Sequence, residues 1–252
     1  MKVAIVGSGP AALTAMWAAM QRHDTSIDMF SPADDGPLNA GVFYLHDPMD
    51  LPLRVQEIEI RGFGGTAADY AAKVYGDSTV ETSFPVSADL ANAWDAMQAF
   101  ELLREVRDTS AIGRIKQSIA WQDFDHLSQQ YDLVVNTAPL SALGLSIDLT
   151  QSPWSSSAWV KAGVAPADEC YMLYSAHPAV EWYRCSAVHG RFTMERATRP
   201  VDETGWRRVV KVERTPALGQ LPANVLLTGR NGAWDKHKLT HHVFDDVIEA
   251  MR

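Results

Sequence analysis

The chain has 252 residues, of which 46% are hydrophobic and 21% charged, so it can bury a sizeable core. Its net charge of −9 disfavours non-specific binding to nucleic acid or to an anionic membrane. The densest candidate for a local basic patch is Arg207, Arg208, Lys211 and Arg214. The two cysteines have no CxxC spacing, which favours a reducing compartment over a disulfide framework.

The start of the chain could be mistaken for a leader sequence, because Val3 to Gln21 carries no charge. A Gly-Ser-Gly-Pro sequence at residues 7–10 interrupts this run, so it lacks the continuous apolar core of a signal peptide or membrane span. We therefore expect a cytoplasmic protein that does not enter a membrane.

The N-terminal segment predicts one βαβ unit. Val3–Val6 is an apolar strand of the kind found in parallel sheets, Ala11–Gln21 has a helical composition, and Ile27–Phe30 is the next short strand. This order predicts the start of a doubly wound α/β sheet.

A GxGxxA sequence connects the first strand to the helix. Gly7 permits the tight turn, Gly9 lets a pyrophosphate approach the backbone, and Ala12 keeps the helix close to the sheet. Pro10 suits the first helical position, where its missing N–H would be unpaired anyway. Glycines also make plain turns, but the position between strand and helix favours a dinucleotide site.

The end of the second strand departs from the usual dinucleotide pattern. Ser31 occupies the place where an Asp or Glu usually binds the adenosine ribose, and Asp28 lies too early in the strand. A serine hydroxyl can still hydrogen-bond a ribose. No arginine follows closely, which disfavours NADP.

The middle of the chain predicts further elements around the same sheet. Gly41–Asp50 is strand-like and ends near His46, as either a packed strand end or an edge that faces a ligand. Leu90–Val106 has apolar residues at helical spacing, which predicts an amphipathic core helix. Tyr131–Leu143 predicts a buried strand that ends in a small-residue turn, at the edge of the sheet where ligands bind.

Two alternating segments, Val180–Ala187 and Arg191–Arg196, predict a hairpin joined through His189-Gly190. Tyr183 and Arg184 within it either face a ligand or belong to a surface strand.

Short motifs in this order resemble the FAD-dependent oxidoreductases of the amine-oxidase, protoporphyrinogen-oxidase and UDP-galactopyranose-mutase type, and among them the short flavoprotein-like proteins of actinobacteria and their phages. Besides the glycine fingerprint, the motifs are "DLVVNTAPLSAL", "NVLLTGRNGAW", Tyr44-Leu45-His46, Trp182-Tyr183-Arg184 and the GR-x-G-x-W sequence of Gly229, Arg230, Gly232 and Trp234.

The resemblance implies an α/β, Rossmann-like FAD/NAD(P)-binding fold with a small antiparallel substrate lobe. The nucleotide-binding part would comprise 1–50, 130–145 and 220–252, and the lobe 51–129 and 146–219. FAD is the implied cofactor. The residues that would hold it are Gly7, Ser8, Gly9, Pro10, Ala11, Ala12, Ser31, Thr137, Ala138, Pro139, Gly229, Arg230, Gly232, Trp234 and Leu239. The helix after Lys238 would direct its N-terminus at the flavin.

For function, the resemblance implies an oxidoreductase that oxidises or isomerises a small polar substrate, conceivably in amino-acid or nucleobase modification. His46, Tyr183, Arg184 and His241 would orient that substrate, with an arginine suited to a carboxylate or phosphate. The alternative is a non-catalytic nucleotide-binding accessory protein, which the missing acid and the short chain motivate.

The last histidines admit a metal or a structural interpretation. His237 and His241 are spaced to share one helix face, but no third ligand completes a site, so no metal is predicted. Thr240 or Asp235 as a helix cap explains the composition equally well.

Overall fold

The computed structural model describes residues 1–32 and 44–252, which form a mixed α/β fold with two sheets. The first three residues of the strand-like run at 41–50 lie outside the described residues. Within the described ranges, no helix combines the length and the apolar character needed to cross a bilayer.

The first sheet has five strands, and every neighbouring pair in it is parallel. In spatial order its strands are β12 (Val225–Leu227), β6 (Leu133–Asn136), β1 (Lys2–Val6), β2 (Ser26–Phe30) and β5 (Gly113–Ile115). The predicted βαβ unit is confirmed, since α1 (Pro10–Met20) connects β1 to β2. The predicted Rossmann-like α/β class is therefore correct.

Helix α1 is buried on nearly every side because two other helices flank it. Leu13 packs with Phe100 of α3 (Ala96–Thr109), and Met16 packs with Val243 of α5 (His242–Ala250). Small residues such as Ala12 let α1 lie close to the sheet.

The predicted amphipathic helix at Leu90–Val106 is wrong in its first part. Strand β4 (Asp89–Trp94) occupies those residues, and Leu90 is exposed on it. Helix α3 begins only after Asp95, whose buried carboxylate accepts hydrogen bonds from the N–H groups of Met97 and Gln98. The cap fixes the helix start, because it satisfies donors that have no partner inside the helix.

The two sheets do not follow the expected division of the chain into a nucleotide-binding part and a substrate lobe. That division assigns 51–129 to the substrate lobe, but β5 pairs with β2 and α3 packs on α1, both in the layer of the parallel sheet. Helix α4 (Asp123–Gln130) likewise packs behind β6 through Phe124. Residues 96–130 thus belong to the layer of the parallel sheet.

The second sheet has seven strands and is antiparallel except for one pair. In spatial order the strands are β11 (Trp206–Val212), β7 (Ser155–Val164), β10 (Arg191–Arg196), β9 (Arg184–Val188), β8 (Tyr171–Ser175), β3 (Val55–Phe63) and β4. Strands β3 and β8 are the parallel pair. The chain between them contributes β5 and β6 to the first sheet before it returns to the second. Helix α2 (Ala67–Tyr75) follows β3.

The predicted hairpin at His189-Gly190 is confirmed. Both residues have positive φ, 51° and 73°, as a two-residue turn between right-twisted strands requires. The turn sets the register in which Arg184 on β9 lies opposite Glu195 on β10.

The last strand, Val225–Leu227, is a half-buried strand at the edge of the first sheet. The histidine segment after it differs from its prediction in two details. Helix α5 begins at His242, so His237 and His241 precede it and do not share a helix face. No side chain caps α5, which excludes Thr240 and Asp235 as its cap; the Asp235 carboxylate instead accepts from the N–H of His237.

Replacing the α3 cap by Asp95→Ala tests its role in the fold. The carboxylate is fully buried and also pairs with Arg54 and Arg191, so we expect a loss of about 2–4 kcal/mol in the free energy of unfolding. Urea denaturation measures it. Thr66→Ala, which removes the exposed cap of α2, is the matched control and should cost about 1 kcal/mol. Equal losses in both variants would contradict the account.

Candidate functional site

The carboxyl ends of β1, β2 and β6 meet at one edge of the parallel sheet. The carbonyl of Val6 accepts hydrogen bonds from the backbone N–H groups of Thr137 and Ala138, each at 2.9 Å, and from Thr137 Oγ1 at 2.9 Å. The N–H of Gly7 donates to the carbonyl of Phe30 at 2.9 Å. These bonds bring the predicted turn at Thr137–Pro139 against the glycine fingerprint.

The N-terminus of α1 is open at this edge. Gly9 is the N-cap, and among the described residues no side chain caps the helix, so its first N–H groups have no partner inside the helix and none from a capping side chain in that part of the chain. A Cβ built on Gly9 would meet nothing within 4 Å. Gly7 differs, since it has φ of 125° and a Cβ there would clash with Thr137 Oγ1. The two glycines therefore form a tight turn beside an open, electropositive helix end.

Ser31 lies beside the fingerprint, as expected of a residue that follows β2. Its hydroxyl is 3.1 Å from that of Ser8. Asp28 does not reach this edge, because its carboxylate accepts a hydrogen bond from the Tyr131 hydroxyl at 2.8 Å. Ser31, the residue after β2, is thus the side chain that lies beside the N-terminus of α1.

The loop after β12 joins the same edge. Gly229 has φ of 73°, and a Cβ on it would be 3.1 Å from the Cβ of Ala11 in α1. A Cβ on Gly232 would clash with the carbonyl of Thr228, and the Gly232 carbonyl accepts from Asn136 Nδ2 at 3.1 Å. Both glycines are needed for the loop to lie close to α1 and β6.

Two other residues of the predicted cofactor set face elsewhere. Trp234 is buried and has a backbone φ of 50°. Its indole N–H donates to the carbonyl of Trp154 at 3.3 Å, which anchors the loop to the segment before β7. The N–H of Leu239 donates to His242 Nδ1 at 3.2 Å, which places it at the start of α5. Neither contact points to a cofactor.

Four aromatic rings form a chain at the start of α5. The ring centroids of Tyr44 and His46 are 4.8 Å apart, those of His46 and His241 are 5.4 Å apart, and those of His241 and His242 are 4.3 Å apart. Tyr44 also lies within electrostatic reach of Arg184. Tyr44 thus links the rings of His46 and His241 to Arg184, the residue next to Tyr183.

The two central imidazoles are held neutral. Burial, then the neighbouring His242 and His46, lower the pKa of His241 to about 4. Partial burial of its ring, and then His242, lower the pKa of His46. Burial also raises the pKa of the Tyr44 hydroxyl to about 12. At neutral pH Tyr44, His46 and His241 are therefore uncharged groups that can form hydrogen bonds.

Side chains from three strands of the second sheet form an ion cluster around a buried carboxylate. The Glu195 carboxylate pairs with both Arg184 and Lys211 and accepts a hydrogen bond from the Tyr183 hydroxyl at 2.6 Å. Although burial opposes ionisation, the two cations hold the pKa of Glu195 well below its usual range. Burial lowers the pKa of Lys211 to about 8. Four polar groups thus satisfy one another in the interior.

A cavity of about 420 Å³ opens above this cluster. Tyr183, Arg184, Lys211 and the C-terminal-loop residue Arg230 line it. Arg230, which the resemblance assigns to the cofactor site, therefore lies in the wall of this cavity. The remaining lining residues are Tyr70, Val74, Tyr75, Glu81, Thr82, Ser83, Tyr174, Val212, Glu213, Lys236 and His237.

Glu195 and Lys211 are absent from the predicted site. The hairpin register gives a signal for Glu195, because the His189-Gly190 turn places it opposite Arg184. Nothing local marks Lys211, which reaches the cluster from β11. The basic patch suggested for residues 207–214 does not form a uniform surface, since Lys211 points inward to Glu195.

The residues that the structure describes include no group of three or more His, Cys, Asp or Glu side chains arranged to hold a metal ion. Cys170 and Cys185 are free thiols. Burial is the largest effect that raises the pKa of each thiol.

No family model and no curated protein matches the chain. Its fold is similar to that of a reduced UDP-galactopyranose mutase, with 14% identity and a TM-score of 0.55 over 99% of this chain and 94% of that one. It is similar to BrvH, a flavin-dependent halogenase from Brevundimonas sp. BAL3, with 13% identity and a TM-score of 0.51 over 98% and 70%. An oxidoreductase from Methanosarcina mazei aligns over 100% of both chains with 10% identity and a TM-score of 0.57. At these identities the similarity establishes the fold.

His241 predicts a dependence of stability on pH. Its folded pKa of about 4 lies below its unfolded value of 6.5, so the unfolded chain binds the proton more readily between these values. Stability is therefore present above pH 6.5 and lost as the pH falls towards 4. The difference in unfolding free energy between wild type and His241→Asn should shrink by about 1–3 kcal/mol from pH 7 to pH 4.5. His23→Asn, at an exposed turn, is the control. A constant difference would contradict the shifted pKa.

Glu195→Gln leaves two cations in the interior without a counter-charge. We expect the free energy of unfolding to fall by about 3–5 kcal/mol, as for other buried pairs that lose one partner. The matched control is Glu181→Gln, which removes an exposed partner of Arg196 and should cost less than about 1 kcal/mol. Chemical denaturation compares them, and similar small losses would show that the cluster is not structural.

Proposed function

We propose that this protein binds FAD and is a flavin-dependent oxidoreductase, which oxidises or isomerises a small polar substrate. The observation that carries the proposal is the open N-terminus of α1 at the carboxyl edge of a parallel sheet, beside Gly7 and Gly9. A pyrophosphate suits this position, because free N–H groups and the positive end of the helix converge there. The fold similarity to a flavin-dependent halogenase supports the same cofactor.

The contacts around α1 support a particular set of cofactor residues. Residues 7–12 would hold the pyrophosphate, and the Ser31 hydroxyl would contact the adenosine ribose in place of the usual acid. The turn at Thr137–Pro139 and Gly229 would border the cofactor, since both lie against the fingerprint. Gly232 would act indirectly, by holding its loop on β6.

Bound FAD would supply a hydride acceptor. The protein's own residues would bind and orient the substrate and would hold protons at defined atoms. His46 and His241 are neutral, so each can donate or accept a hydrogen bond without carrying charge into the site. Arg184 presents a guanidinium held in place by Glu195.

Tyr183 has a different role from the one its motif suggests. Its hydroxyl already donates to Glu195, and burial together with that carboxylate raises its pKa far above the usual range. It therefore positions the Glu195–Arg184 pair rather than exchanging a proton with a substrate.

Gly9→Val tests the cofactor site. The added side chain projects into the open space at α1, so it should block the pyrophosphate while costing the fold little, within about 1 kcal/mol. Added FAD should raise the melting temperature of the wild type, whereas NAD should not, and Gly9→Val should lose the FAD effect.

Gly7→Ala is the contrasting variant. Its positive φ and the clash with Thr137 should lower the melting temperature even without a cofactor. An unchanged FAD effect in Gly9→Val would contradict the proposed site. FAD binding without reduction by any substrate would favour a non-catalytic nucleotide-binding protein.

A further inference from the structure

We infer that the 420 Å³ cavity contains a subsite for an oxyanion, a phosphate or carboxylate group, formed by Arg230 and Lys236. The inference rests on the proposed function in taking the cavity as the substrate site, and it assigns the substrate to the class of small organic anions. Both residues belong to the loop after β12, which also borders α1 through Gly229.

The charges of the cavity are unevenly compensated. The buried carboxylate of Glu195 forms ion pairs with Arg184 and Lys211. Glu213 accepts a hydrogen bond from the Ser156 hydroxyl and forms no ion pair within the described chain. Neither Arg230 nor Lys236 makes a hydrogen bond through its side chain or an ion pair with any described residue. Two cations at the cavity wall thus form no side-chain hydrogen bond or ion pair within the described chain, while the carboxylates of Glu195 and Glu213 act on Arg230 at longer range.

Arg230 is exposed at the cavity wall, so a ligand that enters the cavity can reach its guanidinium. Desolvation, and then the positive charge of Arg184, lower the pKa of Arg230. A bound oxyanion would reverse the second effect and would pair with the planar fork of Arg230 through two N–H groups. Lys236 would add a mobile point charge at the same group.

The rest of the cavity wall suits the body of an organic anion. Tyr70, Tyr75 and Tyr174 line the same cavity as the two cations and contribute aromatic side chains to its wall. The volume lies within the range of sites for small molecules. A substrate with a charged end and a polar, ring-sized body would fill it.

Binding of inorganic phosphate and of citrate, measured by titration calorimetry at constant ionic strength with chloride as the balancing anion, tests the subsite. We expect Arg230→Gln and Lys236→Gln each to weaken binding of at least one of the two probes by tenfold or more. The matched controls are Arg208→Gln and Lys161→Gln, which remove the same charges from exposed positions outside the cavity and should change affinity less than twofold.

Equal weakening by the controls, or no binding of either probe, would overturn the subsite. Gly9→Val separates it from the cofactor site. If that variant loses phosphate binding while Arg230→Gln keeps it, the anion sits at α1 and the inference is wrong. If FAD fails to stabilise the wild type but Arg230 and Lys236 still govern anion affinity, the subsite is supported and the proposed flavin function fails.

Discussion

The carbonyl of Val6 is the point on which the carboxyl edge of the parallel sheet depends. It accepts three hydrogen bonds from Thr137 and Ala138, and this holds the end of β6 against the end of β1. The close approach leaves no room for a side chain at Gly7. The chain must therefore turn sharply there, and the turn leaves the first N–H groups of α1 open.

The second sheet is organised by a different interaction. Glu195 joins three strands by taking one partner from β9, Arg184, and another from β11, Lys211, on either side of its own strand. A buried ion cluster gives little net stability compared with apolar packing, but it fixes the direction of each side chain. Arg184 and Tyr183 are thereby held at the wall of the cavity.

Much of the layer of the parallel sheet could be predicted from the sequence, because its signals are local. An apolar run, two glycines and a helix of small residues predict β1, α1 and β2, and the His189-Gly190 pair predicts the hairpin. The start of α3 could not be predicted in this way, because the apolar residues of β4 and α3 together have the spacing of a single helix. Only the Asp95 cap marks the true boundary.

The site itself was only partly predictable, since its contacts are long-range. The C-terminal histidines separate in space: His237 lines the cavity, whereas the ring of His241 contacts that of His46 at the start of α5. The pairing of Lys211 with Glu195 joins two distant strands and leaves no periodic signal. The assignment of residues 96–130 to the parallel layer likewise depends on the pairing of β5 with β2.

The central claim is that the open edge at α1 holds FAD. The most direct measurement is the visible absorption spectrum of the purified protein after incubation with FAD and removal of the unbound cofactor. The account predicts flavin bands that remain with the protein at about one flavin per chain, and that change on reduction. A colourless protein after the same treatment would contradict it.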